Sequence, residues 1–183
     1  MNEKCVNYGP LTGLIGTWFG NAGKDVAPEP DGIENNNYYE TMTFSEASEV
    51  TNAEQEVLSA VHYIQKVQRH GDDKVIHHES GYWMWNQQTN DVMHSLVIPR
   101  GICVLAAGKV DISGTTVFDV KADDTEKEQQ LIQSPFMHEK AKLISYVQQM
   151  RLYPDKLCYQ QTMVVDIYGK VVEHTDSNSL QRQ

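Results

Sequence analysis

Basic residues are scarce in this chain of 183 residues. Fifteen lysines and arginines are scattered along it against 25 aspartates and glutamates, for a formal net charge of −10. Proteins that work on phosphate backbones draw their affinity from clustered Lys and Arg, so neither nucleic acid nor an anionic membrane surface is an expected partner. Long hydrophobic runs are missing too. The longest, such as "ICVLAA" from Ile102, fall far short of the ~20 apolar residues that cross a bilayer as a helix. The opening "MNEKCVNYG" has no cationic stretch followed by an apolar one, so no secretory signal is expected. Cysteine is rare: Cys5, Cys103 and Cys158 lie far apart with no metal-type spacing. That argues against a disulfide framework and fits reduced thiols in a cytoplasmic protein. Common catalytic signatures are absent as well, with no G-x-S-x-G, H-E-x-x-H, phosphate-binding glycine loop or C-x-x-C. What remains is a small-molecule site. The length suits a single domain over 1–183, with residues 1–10 and 176–183 as tails.

The pattern that is present belongs to strands. Segments rich in β-branched and aromatic residues, bounded by Gly, Pro, Asn and Asp, lie near Leu14–Asn21, Asn37–Ser45, Leu58–Arg69, Lys74–Asn86 and Asp91–Ile98. Others follow near Ile102–Val110, Thr115–Lys121, Ala141–Tyr153 and Lys156–Val165. The turns between them are short, as in "HGDD", "QQTND" and "YPD", and tight turns join antiparallel neighbours. Helical signal is sparse. A turn is expected after Thr51 or Asn52, "DDTEKEQQLIQ" is ambiguous, and the tail from Asp176 or Ser177 could close with a short helix. "PEPDGIENNN" reads as a loop. In "AKLISYVQQMRLY" and "KLCYQQTMVV" both faces mix polar and apolar residues, which suits a barrel around a partly polar cavity better than a dry sandwich. The expected fold is all-β: one closed antiparallel barrel of about nine or ten strands with a short helical segment or two.

Histidine supplies the candidate chemistry. His77 and His78 stand side by side before Glu79, so in a strand one faces the interior and the other faces water. Hydrophobic parity alone favours His78, which shares its face with Ile76 and Met84. His174 stands in the otherwise polar "VVEHTDSN", while His62 and His94 need no special role and His70 lies in a turn. Trp18 lies between Gly16 and Gly20 on one strand face, either as a plug at a barrel floor or as a cavity wall.

Taken in order, several motifs resemble the nitrobindin family of heme-binding β-barrels, which have a fatty-acid-binding-protein-like shape. "GTWFGNA" from Gly16 is similar to that family's opening G-x-W-x-G-x-G, except that Ala22 takes the last place and Gly23 follows. Tyr38, Glu40 and Phe44, then Tyr63 and Gln65, then His77, Glu79, Gly81 and Tyr82 match its successive strands. Pro99 and Gly101, Ala141 and Lys142, Arg151, and finally Leu157, Tyr159 and Met163 complete the order. The resemblance implies a b-type heme in the barrel with His174 as the iron ligand, and it favours His77 over His78 as the inward imidazole. It implies that His77, Trp18 and Tyr82 border the cofactor. It further implies ferric iron that binds nitric oxide and isomerises peroxynitrite to nitrate. The alternative in the same fold is a non-enzymatic carrier of a fatty acid or another apolar molecule. A homodimer suits a barrel of this size, although no surface stretch argues for one.

Overall fold

The computed structural model describes residues 6–124 and 130–183. After a 3-10 helix at Gly9–Leu14, the chain runs through β1 (Gly16–Glu29), β2 (Gly32–Asn52), β3 (Glu56–Arg69), β4 (Val75–Asn86), β5 (Asp91–Ile98) and β6 (Ile102–Asp111). Then come β7 (Thr116–Asp123), a short β8 (Leu131–Gln133), helix α1 (Pro135–Lys140), β9 (Ala141–Leu152), β10 (Lys156–Ile167) and β11 (Lys170–Arg182). All pairings are antiparallel. Ten strands close a ring, with β1 bonded to β11, β5 to β6, and β7 to β9, while β8 adds only to the start of β6. Closure removes the free edges that an open sheet would present. Among the described residues no helix is long and apolar enough to cross a membrane.

The strands form where alternation demands it. Val92, His94, Leu96 and Ile98 of β5 are buried, as are Ile102, Val104, Ala106 and Val110 of β6. Turn chemistry fixes the register. Tyr168 and Gly169 both take positive φ, the two-residue turn whose twist suits a hairpin, and this pairs Ile167 with Lys170 and Met163 with His174. The missing glycine at Ala22 is absorbed by a register shift between Gly20 and Gly23. Gly23 then faces inward beneath the Tyr38 ring, where a Cβ would lie 2.1 Å from that ring.

The floor of the barrel is apolar. Leu11 and Leu14 of the 3-10 helix are buried beside Trp18, whose indole Nε1 donates to the Leu14 carbonyl at 2.7 Å. Arg182, paired across the sheet with Trp18, stacks its guanidinium carbon 4.2 Å from the ring centre and donates to the Gly13 and Ile15 carbonyls. The first and last strands thus seal the bottom together.

Several expectations change. Residues 28–37 are not a loop but the tip of the β1–β2 hairpin, with a tight turn between Glu29 and Gly32. Residues 176–182 are neither tail nor helix but the closing half of β11. Residues 9 and 10 of the other expected tail already belong to the 3-10 helix. Helix α1, capped by the Ser134 hydroxyl accepting from the Met137 N–H, follows the ambiguous stretch, whose residues 125–129 lie outside the described ones. Cys103 and Cys158 are free thiols, and Cys5 lies outside the described residues.

Candidate functional site

Above the apolar floor the inward side chains turn polar, and two hydrogen-bonded groups span the middle of the barrel. In the first, Glu40 of β2 is fully buried and accepts from Asn178 Nδ2 at 2.7 Å, Gln65 Nε2 at 2.5 Å and the Tyr159 hydroxyl at 3.2 Å. The Tyr38 and Tyr159 hydroxyls lie 2.7 Å apart. Burial pushes the Glu40 carboxyl up to about 7, although those three donors pull the other way. In the second group, Tyr63 of β3 donates to Glu79 Oε1 at 2.7 Å. His94 Nε2 lies 2.8 Å from the Tyr63 hydroxyl, and the Tyr146 hydroxyl is 3.2 Å from His94 Nδ1 and 3.1 Å from Gln161 Oε1. His94 also stacks on Trp83 with ring centres 4.2 Å apart. Its burial pushes the imidazole down to about 4, so it is neutral at physiological pH.

Over these layers opens a cavity of about 580 Å³, inside the ~300–1,000 Å³ range of small-molecule and cofactor sites. Its walls are apolar at Val67, Ile98, Ile102, Leu143, Met163 and Val165. Its polar side carries His77, His174, Asp25 and Asp176, with Arg69, Lys74 and Arg100 among the lining cations. The extended β1–β2 hairpin makes this side: Asp25 Oδ1 lies 2.7 Å from His174 Nε2, and Asp25 Oδ2 accepts from Asn36 Nδ2 at 3.0 Å. Asp176 stands 3.6 Å from the same Nε2. Burial works against charge on His174, but the Asp25 bond and the two carboxylate charges outweigh it, and the imidazole titrates above its ordinary range. Burial raises Asp176 to about 6.

His77 also lines the cavity, with Nε2 2.9 Å from Glu79 Oε2. Burial opposes its charge, yet the Glu79 bond and charge prevail and raise its pKa. Glu79, itself 1% exposed, is depressed by His77 and Tyr63 despite its burial.

The predicted residues therefore divide. His77 and His174 meet at one cavity, and His78 is exposed on the outer face. The parity argument for His78 fails because Glu79, Gly81, Trp83 and Trp85 share the inward face with His77, and the register slips by one residue beside it, between Val67 and Gln68. Trp18 and Tyr82 do not line the cavity. Trp18, 0% exposed, plugs the floor. Tyr82 is 44% exposed and leans on His62 on the outside, because its parity in β4 is opposite to that of His77. Sequence reading missed Asp25, hidden in what looked like a loop margin, and Asp176, assigned to a tail. It also set His94 aside. The usable signal for His94 was an inward parity shared with Val92, Leu96 and Ile98.

Three comparisons bear on this arrangement. The model of the THAP4-like, heme-binding beta-barrel domain matches residues 7–182. A crystal structure of Rv2717c from M. tuberculosis superposes with a TM-score of 0.70 at 21% identity, covering 94% of each chain, a likeness of fold. No curated protein matches. With a ten-stranded barrel, an imidazole-bearing cavity and a match over nearly its whole length, the chain belongs to the family of THAP4-like heme-binding β-barrel domains.

Proposed function

We propose that the cavity holds a b-type heme whose ferric iron is ligated by His174, and that the protein scavenges reactive nitrogen species, binding nitric oxide and isomerising peroxynitrite to nitrate. The observation that carries this reading is the presence of two imidazoles, His77 and His174, on the polar side of one cavity whose other side is aliphatic, in a chain of this family. The residues fit such a group once His174 gives up the proton that Asp25 and Asp176 favour, since it is the neutral imidazole that ligates heme iron. The aliphatic walls accept the macrocycle, and Arg69, Lys74 and Arg100 suit its carboxylates on a wall that also carries Asp25, Glu29, Glu34 and Asp176. When bound, the heme would supply the iron at which nitrogen oxides react.

The chain's own residues do the rest. Val67, Ile98, Leu143 and Met163 limit water around the reacting face, and His77 presents a polar contact inside the same cavity. Asp25 holds the His174 ring by Nε2, so a metal taken at that nitrogen would have to displace the carboxylate. The test is a hemin titration followed by absorption. A Soret band saturating at one hemin per chain, abolished by His174→Ala, is the expected result. A spectrum unchanged by stoichiometric hemin refutes the proposal and leaves the cavity to an apolar carrier, for which a co-purifying lipid in native mass spectrometry is the sign.

A further inference from the structure

The buried chain of hydrogen bonds beneath His77 has a direction, and the direction has a consequence for what the cavity accepts. Tyr63 lies between the Glu79 carboxylate and His94 Nε2, at 2.7 Å and 2.8 Å. An ionised carboxylate only accepts, so the Tyr63 proton points to Glu79, and the Tyr63 oxygen must accept from His94 Nε2–H. A neutral His94 then has Nδ1 as its acceptor, facing the Tyr146 hydroxyl at 3.2 Å. The Tyr63 and His94 dipoles lean toward Glu79, while the Tyr146 hydroxyl donates to Gln161 Oε1 at 3.1 Å. A lone carboxylate in an interior this closed would take up a proton. Here Tyr63 supports Oε1, and the other oxygen, Oε2, bonds His77 Nε2 at 2.9 Å. Among the described residues Glu79 is the only hydrogen-bond partner of the His77 ring. Its second N–H is left for the cavity that His77 lines.

We propose that Glu79 is a positioning residue, held by Tyr63 and through it by His94, that fixes His77 as a cationic hydrogen-bond donor and so makes the cavity select small anionic ligands. The other charged groups that bear on His77 are Asp176 from β11 and Arg100 from the turn between β5 and β6, and they oppose each other. From β3 the paired residue is Val67, while Lys66 points outward. The cationic donor therefore depends on Glu79.

The experiment has two arms. Proton resonances of the His77 ring are followed across pH in the heme-free chain, and azide affinity is measured optically in the hemin-loaded chain; only the second arm rests on the heme reading. Glu79→Gln should lower the His77 titration midpoint by about one pH unit or more and weaken azide about tenfold at neutral pH. Tyr63→Phe removes a donor from the carboxylate, makes it more basic, and should move the midpoint upward. A general loosening of the core would not shift the two variants in opposite directions. His77→Gln should weaken azide as much as Glu79→Gln, with no further loss in the double variant. A midpoint unmoved in Glu79→Gln overturns the proposal. If that variant fails to fold, a midpoint that falls or stays put in Tyr63→Phe overturns it instead, and a rise supports it. Absence of a Soret band sinks the heme reading alone and leaves the resonance arm to decide.

Discussion

Glu40 shows how much a single side chain carries here. It is fully buried, accepts from donors on β3, β10 and β11, and ties four strands together through one carboxyl group. Its pKa stands at about 7 against an ordinary 4.5, chiefly through burial. The sign follows from linkage: the folded chain holds this proton more tightly than the unfolded chain does. The stabilising contribution is whole below pH 4.5 and drains away as pH rises through 7, by an amount on the order of 3 kcal/mol at most. Asp176 adds a slope of the same sign, while neutral, buried His94 adds the opposite one between pH 6.5 and 4. Comparison with Glu40→Gln isolates the first contribution, since the others are common to both proteins. Urea unfolding at successive pH values should show stability falling more steeply toward pH 7 in the parent than in the variant. Parallel curves would refute the assignment.

At the level of elements, the β1–β2 hairpin decides what His174 can do. Because both strands run on to Glu29 and Gly32, Asp25 and Asn36 reach the cavity instead of ending at a loop. Asp25 holds Nε2 of His174, one of the two ring nitrogens through which the proposed ligation could run, and a charge-assisted bond of this kind is worth about 1.5–3 kcal/mol. Asp25→Ala should therefore strengthen hemin binding about tenfold, Asp176 retaining part of the competition at 3.6 Å. Weaker binding would mean instead that the carboxylate supports the ligand imidazole through its other nitrogen. The hairpin also marks where sequence reading gave out. β5 and β6 were legible because buried apolar residues alternate in them, whereas β4 was legible as a strand but its alternation pointed to the wrong face. β11 was not, because its inward residues before Leu180 are the polar His174, Asp176 and Asn178, and a strand that buries polar groups against a polar layer has no hydrophobic period to read. His77 and Glu79 were found through a motif, and Trp18 and Tyr82 were overextended from neighbouring ones.

The whole molecule depends on closing the ring between β1 and β11. Deleting residues 176–183 removes most of the β1–β11 pairing, the buried Leu180, and Arg182 with its hold on Trp18 and the floor. The remaining sheet would expose edges on β1 and β10 and open its core to water. The truncated chain should lose cooperative thermal unfolding by circular dichroism, whereas a mere tail could be removed with little change. A truncated protein that still melts in one sharp step would contradict the closure.

The amino-acid sequence by itself determined an all-β antiparallel chain, its turns and most of its strands, because those follow from contacts between near neighbours and from the period of side chains along an extended backbone. The residue pattern by itself favoured His78, while His77 and His174 were singled out by the family resemblance. Only the tertiary structure decided that they face one cavity, that Tyr82 turns outward, and that Asp25 meets His174 across 149 positions at 2.7 Å. Such meetings are set by how the sheet closes on itself, and a linear pattern of residues does not carry that information.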